Sequence, residues 1–513
     1  MSRSQGATIT PMSSTPADGE LAFPAAADGS RPSTAPGAAI VAAALKPLDT
    51  SHADAAASER HWRRAYPLHF RHLVEGGLRS GEAALRSARA GLEQAWSTFR
   101  WAAGGEDLPL ERVYAARAQP FGTHTLRGGG PAAPQPWQLP YEGRLLAGDE
   151  LLRQVERWVA AGTIEPSAGQ ALERCARHPE WFDLSDRMLV LLGAASEAGP
   201  LRWLSRWRAN VVAVDIDRPA VWQRIESTMA QGNGVLHAPV RDPGGPWTSR
   251  AGADLLRDAP RVRAWVESFA GPLDIAAHAY LDGERHVRLA MAMDFVQRSA
   301  LARPGSSLAY LATPTDVFAV PGATARLAME RWQLRPLSTR GLQQPLRLAS
   351  GDRFFQPNVA ALVRTTEEVE YGVVDSLVVE QGPNYALAKR LQQWRALTAR
   401  AAGTPVSLNV APSTTTASVV RNAALAAGFA GAGTFGVEAF RPETTNALMA
   451  ALWVHDLRSE ESAANPGRAL AHPFELFMEN ACHGGLWTCA YRPRSALPFA
   501  AAVGWVRIKT GRG

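Results

Sequence analysis

Residues 187–219, RMLVLLGAASEAGPLRWLSRWRANVVAVDIDRP, decide the fold. An apolar run over 188–192 enters a turn of small residues. A helix-length stretch follows, and a second apolar run over 211–214 ends in Asp215. A strand, a crossover helix and a second strand within about 30 residues make a βαβ unit, the opening of a parallel sheet. Later stretches repeat the pattern: GVLHAPV (234–240), LDIAAHAY (273–280), SSLAYLAT (306–313) and TPVSLNVAP (404–412), with helix-length segments between them. Strands alternating with helices imply an α/β fold on a doubly wound parallel sheet.

The first strand-to-helix turn of such a sheet is where a nucleotide phosphate lands. Small residues admit its approach, and a helix N-terminus offers N–H groups and a positive dipole end. Gly193, Ser196 and Gly199 are the expected cradle. Asp215, about 20 residues further on, stands where a carboxylate accepts from ribose hydroxyls. Glu197 runs against this pattern, adding bulk and negative charge beside the expected phosphates. Either its side chain turns outward or nucleotide binding is weakened.

Composition narrows the partners. The chain has 513 residues, enough for two or three domains, and a net charge of +6. Only three of its 54 basic residues are lysines, Lys46, Lys389 and Lys509. With abundant Ala, Gly and Pro, that points to a GC-rich bacterial coding bias rather than a selected basic surface. No arginine-rich run carries interleaved aromatics, so no nucleic-acid partner is expected. Three scattered cysteines fit a reducing compartment. Cys482, His483 and Cys489 in NACHGGLWTCA lack a nearby fourth ligand and read as packing residues, so no metal is expected. No apolar run approaches the roughly 18 residues of a membrane span. Without a basic segment leading into an apolar core there is no signal-peptide pattern, and a cytoplasmic location is expected.

The organisation follows from composition shifts. Residues 1–58 are rich in Ala, Ser, Thr, Pro and Gly and are expected to be disordered. Residues 59–185 read as a helical N-terminal region. The nucleotide-binding domain spans 186–440, and 441–513 is a C-terminal extension without an assignable pattern.

The stretch QGPNYALAKRL (381–391) sets Tyr385 and Lys389 four residues apart, on one face of a helix. Taken in order, LGAASEAG, AAHAY, LATPT, YALAK and LNVAPS resemble the short-chain dehydrogenase/reductase family, a Rossmann-fold family with a Y-x-x-x-K helix. The resemblance covers 188 to about 420. It implies an NAD(P)-dependent oxidoreductase acting on a small-molecule carbonyl or alcohol. Tyr385 would exchange the proton, Lys389 would lower the phenol's pKa and hold the nicotinamide ribose, and Thr313 would hold the substrate oxygen. Gly193, Ser196, Gly199, Asp215, Asp242, His278, Asn409 and Pro412 would contact the cofactor. Asp215 favours NAD over NADP, with Arg218 close enough to keep NADP open. The resemblance leaves a homo-oligomer open.

Several positions depart from the family. Leu192 replaces a threonine, Glu197 a glycine, His278-Ala279 a pair of asparagines, and Ser413 a glycine. The distance from Thr313 to Tyr385 is far longer than usual, which makes 316–380 an insertion and a candidate substrate-covering lobe. His278 and His286 flank a strand end where active-site groups accumulate, although lone histidines are more often structural. Two other readings stand beside this one. MLVLLGAASEAG followed by VVAVDID also resembles the opening motifs of S-adenosylmethionine-dependent methyltransferases. The eroded glycines suit a non-catalytic, degenerate Rossmann protein kept for binding or assembly.

Overall fold

The computed structural model describes residues 19–241, 244–378 and 380–510. Its centre is a seven-stranded sheet of β1 (Gly122–Arg127), β2 (Met188–Leu192), β3 (Asn210–Val214), β4 (Val235–Val240), β5 (Asp274–Ala277), β6 (Ser307–Ala312) and β7 (Val406–Val410). The order across the sheet is β7-β6-β5-β2-β3-β4-β1. Strands β2 to β7 are mutually parallel, and β1 lies antiparallel to β4 at the edge. Counted from β2, the six parallel strands run 3-2-1-4-5-6, the doubly wound order of dinucleotide folds. The winding reverses between β2 and β5, where such sheets bind ligands.

The continuous apolar runs follow from burial on both faces. Leu189 and Leu191 of β2, with Val211 and Ala213 of β3, join one core. Val190, Leu192, Val212 and Val214 join the other. The first core is closed by α1 (Leu201–Leu204), α2 (Pro219–Ala230) and α7 (Pro442–Arg458). The second is closed by α3 (Leu255–Glu267), α4 (Glu284–Leu301) and α5 (Gly382–Ala401). The N-terminal helices pack outside these. Asp294 of α4 accepts from Trp96 Nε1 at 2.7 Å and from Arg395 of α5 at 2.6 and 2.9 Å, tying three helices together.

Two sequence expectations are corrected. The N-terminal stretch 1–58 is not wholly unfolded: Glu20–Ala22 is a strand, and Thr34–Leu45 and Thr50–Ser58 are helices. The first of these helices buries Ala38, Ile40, Val41, Ala44 and Leu45, and Ser87 Oγ donates to its Ala44 carbonyl at 2.8 Å. Small side chains bury little area each but permit close helix contact, which composition alone does not register. Residues 59–185 are not purely helical either. They hold β1, a short pairing of Arg100–Ala103 with Glu106–Pro109, and a hairpin of Leu139–Tyr141 with Arg144–Leu146.

The segment between β6 and α5 forms a second, smaller sheet, called the lobe below, whose Val317, Phe318, Val320 and Val374 join the second core. Val317–Pro321, Leu362–Arg364 and Glu370–Asp375 make a three-stranded antiparallel sheet carrying helices Gly322–Gln333 and Leu337–Ala349. Beyond β7, α6 (Ala423–Gly431) crosses α8 (Pro493–Lys509) at glycine: a Cβ on Gly431 would strike the Ala500 carbonyl, and one on Gly504 the Ala427 carbonyl. No helix among the described residues is long and apolar enough to cross a membrane.

Candidate active site at the carboxyl edge of the sheet

Helix α5 begins at Gly382, whose φ is +78°, with Pro383 in its first turn. Glycine takes the left-handed entry without strain, and proline there forfeits only an N–H that the helix would not use. Tyr385 and Lys389 follow on successive turns. The Tyr385 phenol lies close to the Thr313 side chain beyond the end of β6, near enough for that hydroxyl to lower its pKa. Burial pushes that phenol up to about 12, and the Thr313 hydroxyl offsets only part of this. Lys389 Nζ donates to the Leu311 carbonyl of β6 at 3.0 Å, and burial brings the ammonium down to about 8. Thr313, Tyr385 and Lys389 therefore meet at the ends of β6 and α5.

One expectation fails here. Burial dominates the Tyr385 phenol, with no lowering by Lys389 among its causes, while the Lys389 ammonium donates to the Leu311 carbonyl. The phenol holds its proton at neutral pH.

Around this trio lie groups that sequence reasoning underweighted or missed. The His286 ring stacks on Tyr385 with centroids 5.5 Å apart, and Tyr280 packs edge-on to the same ring at 6.1 Å. His286 is 1% exposed and neither ring nitrogen has a partner. Burial, reinforced by the Lys389 charge, drives its pKa well down, so it stays neutral. Asp316, at the base of the lobe, is buried against α5, accepting from Arg390 Nη2 at 3.0 Å and Gln393 Nε2 at 2.9 Å. This anchor ties the insertion to the helix that carries the pair. No local motif announces it, because its partners lie more than 70 residues away.

The β2 end is built from backbone. Gly193, at φ +94°, is indispensable: a Cβ there would meet Ala279 Cα at 2.5 Å. The His278 and Ala279 N–H groups both donate to the Leu192 carbonyl, so the loop after β5 lies across the end of β2. The His278 side chain faces Trp453 edge-on, leaves Nδ1 without a partner, and is brought down to about 3 by burial and by Lys389. Within the turn, the N–H groups of Gly193 and Ala194 donate to the Val214 carbonyl, that of Ser196 to Gly193, and that of Gly199 to Ser196. Asp215 accepts from Ala195 N–H at 2.8 Å and from Ile216 N–H at 2.9 Å, and burial nevertheless raises its pKa. Glu197 turns outward, its carboxylate accepting from Ala417 N–H at 2.9 Å.

Three further residues fall elsewhere. Asn409 Nδ2 is engaged by Asp456 at 2.8 Å, in a buried network with Ser407 under α7, so its amide is already committed. Pro412 is buried where the chain leaves β7. Asp242 lies outside the described residues. His483 donates to or accepts from Glu165 at 3.0 Å, and Cys489 Sγ donates to the Tyr491 carbonyl. No cluster of metal-ligating side chains occurs among the described residues.

The polar groups along this sheet edge lie in two clusters. Asp215 stands beyond the end of β3, and Thr313, Tyr385 and Lys389 stand together across the reversal point. Between them the N–H groups of Glu197 and Ala198 are the two not spent within the turn. Helix α1 is four residues long where a longer helix was expected, so little dipole stands behind those groups. Compared with protein-family models, curated proteins and solved structures, the chain gives no match.

Proposed function

We propose that this chain is a dinucleotide-dependent oxidoreductase of divergent short-chain type that reduces a carbonyl compound to an alcohol. The observation that carries the reading is the meeting of Tyr385, Thr313 and Lys389 beside the point where the sheet reverses its winding. A bound nicotinamide would supply the hydride to the carbonyl carbon. Thr313 holds the carbonyl oxygen, and Tyr385 gives its phenolic proton to that oxygen as negative charge develops there. At neutral pH the phenol carries the proton that this direction needs. Asp215 would hold the adenosine ribose, the Glu197 and Ala198 N–H groups the diphosphate, and Lys389 the nicotinamide ribose. A 2′-phosphate would meet the Asp215 carboxylate, so NAD is the preferred cofactor. A reducing, cytoplasmic setting belongs to the same proposal, supported by three buried, unpaired thiols.

One observation favours a second reading, a nucleotide-binding or assembly protein without turnover: the four-residue α1, which leaves the phosphate turn without a helix behind it. Isothermal titration with NADH, NADPH and S-adenosylmethionine separates these readings. The proposal expects NADH to bind and to be oxidised when a carbonyl compound is added. Binding of S-adenosylmethionine alone overturns it, and binding without oxidation across a carbonyl panel leaves the second reading standing.

A further inference from the structure

A partly open cavity lies between the loops after β6 and β7, Val378 ahead of α5, and the α6–α8 pair. Its walls are apolar: Phe429, Phe435, Leu486, Leu497 and Ala500 contribute most of the hydrocarbon, and no charged side chain lines it. Four lining residues carry polar side-chain atoms. Two are already committed, Cys489 Sγ to the Tyr491 carbonyl and Tyr491 Oη to the Gln343 side chain. The other two are Thr315 and Ser413, just beyond the ends of the neighbouring strands β6 and β7, so both sit at the sheet end of the cavity.

That end connects to the acid–base group. Thr315 Oγ1 and Thr313 Oγ1 are 2.8 Å apart, and the Thr313 hydroxyl lies close to the Tyr385 phenol. A hydrogen-bonded pair of threonine hydroxyls thus reaches from beside Tyr385 to the wall of an otherwise hydrocarbon pocket. A charged substrate entering here would lose its hydration and meet no counter-charge. A molecule polar at one end only would bury its hydrocarbon and present its oxygen to the hydroxyls. Apolar walls with a few placed polar groups are the lining typical of small-molecule sites.

We infer that this cavity is the substrate pocket and that its ligand is a neutral, largely hydrocarbon aldehyde, ketone or alcohol. The inference rests on the oxidoreductase reading for its chemistry, but its binding test does not. Titrating the full chain with hexan-1-ol, octan-1-ol and decan-1-ol should show affinity rising about fourfold per added methylene, the increment of burying one CH₂. Glycerol should not bind. Ala439→Trp fills the cavity from a half-exposed wall position and should weaken decan-1-ol binding at least tenfold while leaving NADH binding unchanged. If that variant fails to fold, the chain-length slope of the unmodified protein still decides. A flat slope, or equal binding of decan-1-ol by the variant and the parent, overturns the pocket. Decan-1-ol binding without any NADH binding keeps the pocket and removes the oxidoreductase reading; NADH binding with a flat slope does the reverse.

Discussion

Two ends of one sheet edge contrast in how they are built. At the β6–α5 end, function is entrusted to side chains: a phenol, a hydroxyl and an ammonium held by a 20-residue helix that is buried along most of its length. At the β2 end it is entrusted to backbone, and the element meant to stand behind that backbone is one helical turn. Side-chain sites are fixed by packing around them, and the Asp316 anchor shows the structure investing in that fixation. Backbone sites need a free N–H array and a dipole, and here most of the N–H groups of the turn are turned inward. The lesson is that a side-chain cluster and a backbone turn on one sheet edge are held by different means and can change independently.

The sharpest way to break the contrast is Tyr385→Phe. It should lower turnover by about a thousandfold or more, within the range for loss of a positioned general acid. NADH affinity, measured by titration, should stay within a few-fold; retained turnover would remove Tyr385 from the chemistry. Asp215→Ala tests the other end. It should weaken NADH about tenfold and lower thermal stability, because the Ala195 and Ile216 N–H groups lose their acceptor at a cost of about 1–3 kcal/mol. Unchanged affinity would show that the ribose sits elsewhere.

Two pH predictions sharpen the side-chain end. His278 is held down to about 3 and His286 well below its usual value, so the unfolded chain binds protons that the folded chain refuses. Stability should therefore fall as pH drops from about 6.5 towards 3, by about 1.4 kcal/mol per pH unit for each histidine. His286→Phe should remove one such slope in denaturant melts recorded across that range. Lys389 shows the smallest effect. Its folded value of about 8 lies below the unfolded value of about 10.4, so stability should climb as pH rises through that window. Lys389→Met should abolish the climb and, at pH 7, raise the melting temperature by about a few degrees. A lowered melting temperature would mean that the bond to the Leu311 carbonyl outweighs the cost of burying the charge.

The strands β2 to β7 were legible because burial on both faces writes an unbroken apolar run, and their alternation with helices gave the α/β class. The edge strand β1 was not, since GTHTLR alternates exposed and half-buried positions and carries little hydrocarbon. The meeting of Thr313 with Tyr385 could be anticipated from motif order across a long insertion. The orphaned His286 and the Asp316 anchor could not, because each depends on which distant surfaces pack against it. The apolar cavity is the extreme case. Its walls come from residues around 315, 413, 428–439 and 486–500, and no window of sequence holds enough of them to show a pattern.

The glycine crossing of α6 and α8 gives that cavity an adjustable wall. Two missing methyl groups, at Gly431 and Gly504, set how near the helices lie, backbone against backbone. Restoring one methyl would act as a shim between two plates, moving a whole wall rather than one side chain. Related chains differing only at these glycines would then differ in the girth of ligand they accept, with every residue that touches the ligand unchanged.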